Sequence, residues 1–302
     1  MSLLLLSSVL ALVGSVQVFA SDLEIPQHAA SHHANGRGSI GVSMHRALLP
    51  LRRHDQAPRE FVMLRCTERD KKLIVKCGLC RWLTTTQAGR SYFPGATANA
   101  VQKRLRKLVE AGYLRSHRES LLSEALHAPG PKAKAIFEEK GVEYAGASDV
   151  PRQVAHLVGV NDIRIAVETA TIPVAYFFAH WQIGGLGWPH PVIPDAVFGL
   201  LAPHRRNFVV EYDRATESSS VLVAKLCAYH EGLPGFPIEA VVIVTERDRR
   251  MESLRREIRK RDLSVRVLMA PLAELQTKSM VDCSFIDLRD GGHRKILDTQ
   301  SA

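Results

Sequence analysis

The stretch that decides the fold runs from Thr84 to Arg118 and reads TTTQAGRSYFPGATANAVQKRLRKLVEAGYLRSHR. Its opening threonines can cap a short helix, which the Pro-Gly pair at 94–95 ends. A second helix is predicted from Thr97 or Asn99 to Ala111, and Gly112 stops it. A short helix, a tight turn and a longer helix are the pattern of a helix-turn-helix. The strand-like residues that follow Gly112 favour its winged variant.

The second predicted helix has an apolar face and a basic face. Val101, Leu105, Leu108 and Val109 follow the spacing of a buried helical stripe. The residues that we predict to contact double-stranded DNA are Asn99, Gln102, Lys103, Arg106 and Lys107 on the opposite side, with Arg115 in the wing strand. Cations on one rigid face displace counterions from phosphates, and Asn and Gln beside them can reach base edges.

The alternative is an ordinary solvated helix, because most charge runs are no more than that. Charge balance favours DNA instead. Between residues 68 and 118 there are twelve Lys and Arg but only three acids, whereas a solvated helix mixes signs through i, i+4 pairs. The formal net charge of +9 also suits a polyanionic partner. We therefore predict a winged helix-turn-helix DNA-binding domain over residues 66–145, after a linker and lead-in segment over residues 21–65. The first helix of this domain is predicted from Asp70 to Leu83.

The first twenty residues bear on where the protein acts. They form an uncharged apolar run ending in Val18-Phe19-Ala20, an acceptable signal-peptidase site, but no Lys or Arg precedes the run. Three interpretations stay open: a genuine signal or anchor of an exported protein, a wrongly chosen start codon, or a buried helix. We favour the start codon, and hence a cytoplasmic protein without a membrane partner.

The five cysteines are an odd number without a compact framework, which indicates reduced thiols. Cys77 and Cys80 form a CxxC, but a zinc site needs two further close ligands and only Cys66 is near. We expect no zinc here.

The second half of the chain predicts a mixed sheet flanked by helices over residues 150–275, followed by a tail over residues 276–302. Helices are predicted at 150–171, where the apolar spacing is amphipathic, and at 218–230 and 248–261. Strands are predicted at 174–183, 192–200, 208–212, 240–244 and 264–269. Three consecutive strands suggest a meander, and the later alternation suggests parallel crossovers. The fold class is therefore α/β, or α+β when the N-terminal domain is included.

Three carboxylates fall at particular places on the predicted strands. Asp195 enters the second strand, and Glu211 and Asp213 end the third, where positions two apart share a face. Close carboxylates resist ionising together unless a divalent cation lies between them, and oxygen ligands suit Mg²⁺. The sequence thus predicts a Mg²⁺ site at Asp195, Glu211 and Asp213. The alternative is a surface ion pair of Asp213 with Arg214, which contributes little.

This arrangement resembles the PD-(D/E)xK nuclease-like fold, also called restriction-endonuclease-like, over about residues 150–269. The departure is Asp213, which stands where the motif has Lys. The resemblance implies that Lys225 on the following helix could act as the catalytic basic group, and Tyr229 one turn later fits the same helix motif.

The whole pattern resembles the replication-relaxation family of plasmid and mobile-element proteins over about residues 69–230. The resemblance rests on WLTTTQAGRSYFPGATANAVQKRLRKLVEAGYL, HLVGVNDIRIAV, PDAVF, FVVEYDRATES and KLCAYHE. It implies DNA binding in the replication or relaxation of such an element, as an accessory to a relaxase. The partners that we expect besides double-stranded DNA are a relaxase or a replication initiator, and a second copy of the chain in a homodimer. The rival interpretations are a Mg²⁺-dependent endonuclease and a transcriptional regulator of repressor or antitoxin type.

Overall fold

The computed structural model describes residues 64–144, 149–188, 190, 192–231, 236–246, 248–261, 263 and 265–298. The apolar run at 1–20 and nearly all of the 21–65 segment lie outside the described residues. Within the described ranges, no helix combines the length and the apolar character needed to cross a bilayer.

The first part of the described chain is helical with a small antiparallel sheet. Its elements are α1 (Glu68–Leu79), β1 (Leu83–Thr84), α2 (Thr85–Tyr92), α3 (Ala98–Glu110), β2 (Leu114–His117), β3 (Leu126–Pro129), a 3-10 turn (Pro131–Ala133) and α4 (Lys134–Glu139). The sheet has the order β1-β3-β2, and both pairings are antiparallel. The helices predicted at the Thr84–Arg118 stretch are therefore present, within a residue or two of the predicted ends.

Local sequence explains where these helices begin and end. Thr67 and Thr84 each form a capping box, in which the Thr side chain and the third helical residue satisfy backbone N–H groups reciprocally. Thr97 caps α3 through a hydrogen bond from the backbone N of Ala100, at 3.3 Å. Gly112 follows α3 with φ +82°, a conformation that costs glycine little.

The second part is a large mixed sheet with helices on both faces. Its elements are α5 (Val154–Glu168), β4 (Val174–Ala179), α6 (His180–Ile183), β5 (Ala196–Leu201), β6 (Arg205–Asp213), α7 (Ser219–His230), β7 (Ala240–Thr245), α8 (Asp248–Ile258), β8 (Arg266–Pro271), α9 (Leu272–Leu275), β9 (Phe285–Asp287) and β10 (His293–Arg294). The strand order is β10-β9-β8-β7-β6-β5-β4. Strands β4, β5 and β6 pair antiparallel, whereas β6, β7 and β8 pair parallel. The predicted meander followed by parallel crossovers is confirmed, and the fold is α+β with a mixed sheet.

Alternate residues of the central strands supply two separate cores. Val210 and Val242 belong to the core that α5 covers, and their neighbours Val209 and Val241 belong to the core that α7 and α8 cover. Strands buried on both faces read as continuous apolar runs, as β7 does.

Four predicted features differ from the structure. Helix α1 ends at Leu79 rather than at residue 83, because Leu83 pairs with His127 in the small sheet. Helix α5 was predicted to be amphipathic, but its residues from 159 to 167 are all buried. The first part of the described chain covers the side of α5 that faces away from the large sheet. The strand predicted at 174–183 ends at Ala179 as β4, and the chain continues as helix α6. The segment beyond residue 275 adds β9 and β10 to the sheet edge.

Candidate functional site

Helix α3 presents the residues that were predicted to contact DNA. Val101, Leu105 and Leu108 are 3%, 1% and 0% exposed and pack into the core of the first part. This burial fixes the direction of the opposite face, because side chains three and four residues apart share one side of a helix. The exposed residues on that opposite side are Asn99, Gln102, Lys103, Arg106 and Lys107.

The exposed cations of α3 have few acids near them. The side chains of Lys103 and Lys107 form no hydrogen bond or ion pair with any residue that the structure describes. Arg106 lies 3.7 Å from Glu110, but both side chains are about two-thirds exposed (69% and 67%). An exposed i, i+4 pair of this kind contributes only about 0.3–0.5 kcal/mol. We call Asn99, Gln102, Lys103, Arg106 and Lys107 the basic face of α3.

Arg104, on the same helix, is engaged internally. Its Nε donates to Oδ1 of Asp70 at 3.0 Å, and its NH2 group donates to the backbone O of Arg65 at 3.0 Å. Asp70 is fully buried and also belongs to the capping box of α1. Burial works to raise the pKa of Asp70, but hydrogen bonds from Arg104 and Thr67 outweigh it and hold the pKa below its usual value. This pair ties α3 to α1.

Arg115, predicted to lie in the wing, is half-buried on β2. Its guanidinium carbon lies 4.6 Å from the centre of the Trp82 ring, within cation–π distance. The structure thus brings Arg115 to the hairpin next to α3 but packs its side chain on an aromatic ring.

A buried carboxylate joins the two parts of the described chain, and sequence reasoning missed it. Asp162 on α5 is 4% exposed. Its Oδ1 accepts from Gln87 Nε2 and from Arg90 NH2, each at 3.0 Å, and its Oδ2 accepts from Gln276 Nε2 at 2.9 Å. Its neighbour Asn161 donates to the backbone oxygen of Trp82 at 2.7 Å. Helix α2 is therefore held on α5 by polar contacts. We call Asp162 and its three donors the Asp162 junction. The HLVGVNDIRIAV segment was the available signal, since two adjacent polar residues interrupt an apolar helix.

The three carboxylates predicted as Mg²⁺ ligands lie close in the fold but have different partners. Asp195 precedes β5, and its Oδ2 accepts from the backbone N of Tyr212 at 2.7 Å. Glu211 is 2% exposed and accepts from Lys225 Nζ at 3.0 Å and from Tyr229 Oη at 2.5 Å. Asp213 accepts from Arg250 Nε at 2.7 Å. Within the described ranges these three carboxylates do not form a group of mutually adjacent ligand atoms, and the Mg²⁺ site stays a prediction.

Charge and burial act together on Glu211. Burial raises its pKa, and the charge of Asp195 raises it further, while Lys225 and Tyr229 oppose the shift, which leaves the pKa at about 7. The predicted basic group, Lys225, is thus in direct contact with one of the predicted ligands. It also lies 3.5 Å from Glu217.

Two histidines that the sequence did not single out lie beside Asp195. His156 Nε2 lies 2.9 Å from Asp195 Oδ1, and the rings of His156 and His180 are 5.7 Å apart. Ligand atoms of His156, His180 and Asp195 all lie within 4.8 Å of one another. We call these three residues the His-His-Asp cluster. Burial lowers the pKa of His180, although the Asp195 carboxylate opposes the shift.

Cys77 and Cys80, the CxxC pair, are completely buried in the core of the first part. Burial raises the pKa of the Cys80 thiol to about 11. None of the five cysteines forms a disulfide.

The fold and these contacts define a class: an α+β protein with a mixed sheet, which carries a small helical unit with an exposed basic helix. The chain belongs to the replication-relaxation family, whose model matches residues 78–233. That match includes the basic face of α3, Asp162 with its partners Gln87 and Arg90, the three carboxylates and the His-His-Asp cluster. No curated protein and no solved structure is significantly similar to the chain.

Proposed function

We propose that this protein binds double-stranded DNA through the basic face of α3 and acts in replication or relaxation of a plasmid or mobile element. In this role it is an accessory to a relaxase or replication initiator. The family supports the setting, because its description is replication-relaxation. The basic face supports the contact, because a cluster of cations on one rigid helix is the electrostatic footprint of a nucleic-acid-binding surface.

The order of elements in the first part supports a winged helix-turn-helix interpretation. Helix α2 and helix α3 are the two helices of the motif, and the β2–β3 hairpin takes the place of the wing. In this geometry α3 enters the major groove, which is wide enough for one helix. Lys103 and Lys107 then neutralise phosphates, while Gln102 and Asn99 are placed toward base edges. Arg115, whose side chain packs on Trp82, approaches the sugar-phosphate backbone of the DNA from the β2–β3 hairpin.

The observation that carries the proposal is the contrast between neighbouring cations on one helix. Arg104 is bound to a buried acid, whereas Lys103 and Lys107 have no acid partner within the described ranges. Cations that serve only folding or solubility are usually balanced by nearby acids on the same helix. The unbalanced charge is instead available to a polyanion, and binding to DNA would release the counterions that surround the phosphates.

Charge reversal on α3 tests this directly. The Lys103→Glu/Arg106→Glu/Lys107→Glu variant should bind a labelled duplex at least about a hundredfold more weakly than the natural chain, because three phosphate contacts become repulsive. The matched control is Arg249→Glu/Arg256→Glu/Arg261→Glu, which changes the same number of exposed charges on and just after α8. The control should lose far less affinity. Equal losses in the two variants would show that net charge alone governs binding, and would overturn the proposal.

A second candidate function is Mg²⁺-dependent DNA cleavage, and one contact favours it. Lys225 Nζ lies 3.0 Å from the Glu211 carboxylate. A lysine from the helix that follows β6 therefore reaches the C-terminal end of this strand, although the strand has Asp213 where the nuclease motif has Lys. A lysine beside metal-bound carboxylates can activate water or steady a leaving oxygen. Supercoiled plasmid with Mg²⁺ should then be nicked by the natural chain but not by Lys225→Met or Glu211→Gln. If the natural chain leaves the plasmid intact, this candidate fails and the DNA-binding proposal is unaffected.

A further inference from the structure

The His-His-Asp cluster is assembled by three separate elements. His156 lies on α5, His180 is the first residue of α6, and Asp195 immediately precedes β5. Because Ala179 and Ala196 face each other in the antiparallel β4–β5 pair, the residues flanking them also lie opposite each other. The backbone N of His180 donates to the backbone O of Asp195 at 2.8 Å, which fixes this end of the strand pair.

The side chains in the cluster are already oriented toward a common point. Tyr212 N donates to Oδ2 of Asp195 at 2.7 Å and leaves Oδ1 directed at His156. Such outer contacts orient carboxylates and imidazoles that bind metals. The His156 and Asp195 side chains are each 18% exposed, so the cluster is accessible from solvent without being a surface group.

We propose that His156, His180 and Asp195 together bind one divalent transition-metal ion of the Zn²⁺ class. Imidazole nitrogens suit Zn²⁺ and related ions, whereas Mg²⁺ prefers oxygen ligands. Bonds of about 2.0–2.1 Å in a tetrahedral site separate ligand atoms by about 3.3 Å. The observed separations are 2.9 Å between His156 and Asp195 and no more than 4.8 Å for the other pairs, so small side-chain rotations close the site.

A simple structural pairing explains only part of the cluster. A hydrogen bond between His156 and Asp195, with the imidazole ring 5.4 Å from the ring of Tyr212, accounts for two of the three residues. It does not account for His180, whose Nδ1 is buried and has no hydrogen-bond partner among the described residues. Buried polar atoms usually have a partner, and a bound ion would supply one to this nitrogen.

The proposed ion site and the predicted Mg²⁺ site share one ligand, Asp195. The other two ligands differ, since His156 and His180 take the place of Glu211 and Asp213. The proposal of an ion at the His-His-Asp cluster does not rest on DNA binding. Three protein ligands leave at least one coordination position open to water or to an anionic oxygen. The site would therefore be an open one, unlike the closed four-ligand sites that only support folding.

Zinc binding by the full-length chain tests the proposal. The chain is stripped with a chelator, and Zn²⁺ is titrated calorimetrically against the natural sequence and the His180→Gln and His156→Gln variants. The natural chain should bind one equivalent through the cluster. Each substitution should weaken that binding at least about a hundredfold, since loss of an outer-shell partner alone costs ten- to a hundredfold. Mg²⁺ should bind this site far more weakly than Zn²⁺.

Matched controls separate the cluster from other histidines and cysteines. His204→Gln changes an exposed histidine outside the cluster and should leave the binding unchanged. The His28→Gln/His32→Gln/His33→Gln variant removes the histidine-rich tract and should also keep the one cluster equivalent. Co²⁺ bound in place of Zn²⁺ should show no thiolate-to-metal charge-transfer band, because the proposed ligands are nitrogen and oxygen.

Three results would overturn the proposal: unchanged affinity in His180→Gln, loss of all binding in the histidine-tract variant, or a thiolate band with Co²⁺. Thermal unfolding of each metal-free variant shows whether it is folded. If His156→Gln does not fold, the decisive comparison is the Zn²⁺ affinity of the natural chain against that of His180→Gln, which changes a partly exposed residue.

Discussion

The basic face of α3 and the carboxylates around β6 are both rich in charge, but their charges have different partners. On α3, Lys103 and Lys107 are exposed and have no acid partner within the described ranges. Around β6, Glu211 and Asp213 are buried, and each is bound by a cation from a neighbouring helix. Burial explains the difference, because a charge removed from water is stable only when it is paired and hydrogen-bonded, whereas an exposed charge needs no partner.

This difference separates residues that serve the fold from residues that are available to a ligand. Removing a charge from a buried pair should cost stability, and removing one from the basic face should cost binding instead. The Asp162 junction and the Asp70–Arg104 pair belong to the first class, although both lie close to α2 and α3. The following predictions test this division.

The largest loss of stability is expected at the junction. Asp162→Ala removes the acceptor for Gln87, Arg90 and Gln276 and leaves the Arg90 cation without its buried partner. We expect the free energy of unfolding to fall by about 4 kcal/mol, as for other broken buried pairs. Urea denaturation measures this change in the free energy of unfolding. Glu110→Ala, which removes an exposed acid, is the control and should change stability by less than about 0.5 kcal/mol. Similar values for the two variants would mean that the junction is not a buried network.

Asp70→Ala should be the next most damaging change. It leaves Arg104 without its acid and removes one half of the capping box of α1. We expect a loss of about 3 kcal/mol in the free energy of unfolding. Asp70→Asn keeps a hydrogen-bonding side chain of the same shape and should lose less. If Asp70→Ala is as stable as the natural chain, Arg104 does not depend on this pair.

A buried histidine in the small sheet predicts a dependence of stability on pH. His127 on β3 is 5% exposed, and its Nε2 lies 3.0 Å from Thr85 Oγ1. Burial, aided by the nearby positive charge of Arg118, lowers its pKa to about 4. In the unfolded chain this histidine has a pKa of about 6.5, so the unfolded chain binds a proton first as the pH falls. Stability should therefore be full above about pH 6.5 and decline toward pH 4.

The size of this effect follows from the shift in pKa. Each pKa unit corresponds to about 1.4 kcal/mol, and allowing for partial relaxation we expect the natural chain to lose about 2 kcal/mol between pH 7 and pH 4 through this group. His127→Gln keeps a polar atom near Thr85 but does not titrate, so its stability should depend less on pH across that window. Parallel pH profiles for the two chains would contradict the assignment.

The smallest change in stability is expected on the basic face itself. Lys103→Ala removes an exposed side chain without a described partner, and alanine favours helix. The free energy of unfolding should change by no more than about 0.5 kcal/mol. The same variant should nevertheless weaken binding to duplex DNA. A large loss of stability would show that Lys103 serves the fold, and the division between the two regions would fail at its clearest residue.

Local features of the first part could be predicted from the sequence, because caps and stripes are encoded within a few residues. Thr97 and Gly112 bound α3 as expected, and Val101, Leu105 and Leu108 face the core. The mixed sheet also followed from the order of apolar runs. What could not be predicted depends on pairing between distant segments.

The His-His-Asp cluster is the main example of this limit. His156, His180 and Asp195 follow no recognisable spacing, and only the β4–β5 register and the position of α5 bring them together. The burial of α5 on both sides was missed for a related reason, since one of its sides is covered by the first part through Asn161 and Asp162. Strands β9 and β10, the last two at this end of the sheet, are too short to give a periodic signal.

The dependence of duplex affinity on salt tests the central claim most directly. The Lys103→Gln/Arg106→Gln/Lys107→Gln variant removes three cations without introducing acids. Because each phosphate contact contributes about 0.9 to the slope of log K against log salt concentration, the slope should become about 3 units shallower than that of the natural chain. The Arg249→Gln/Arg256→Gln/Arg261→Gln variant should keep the natural slope. An unchanged slope in the α3 variant, or an equal decrease in both variants, would contradict the account.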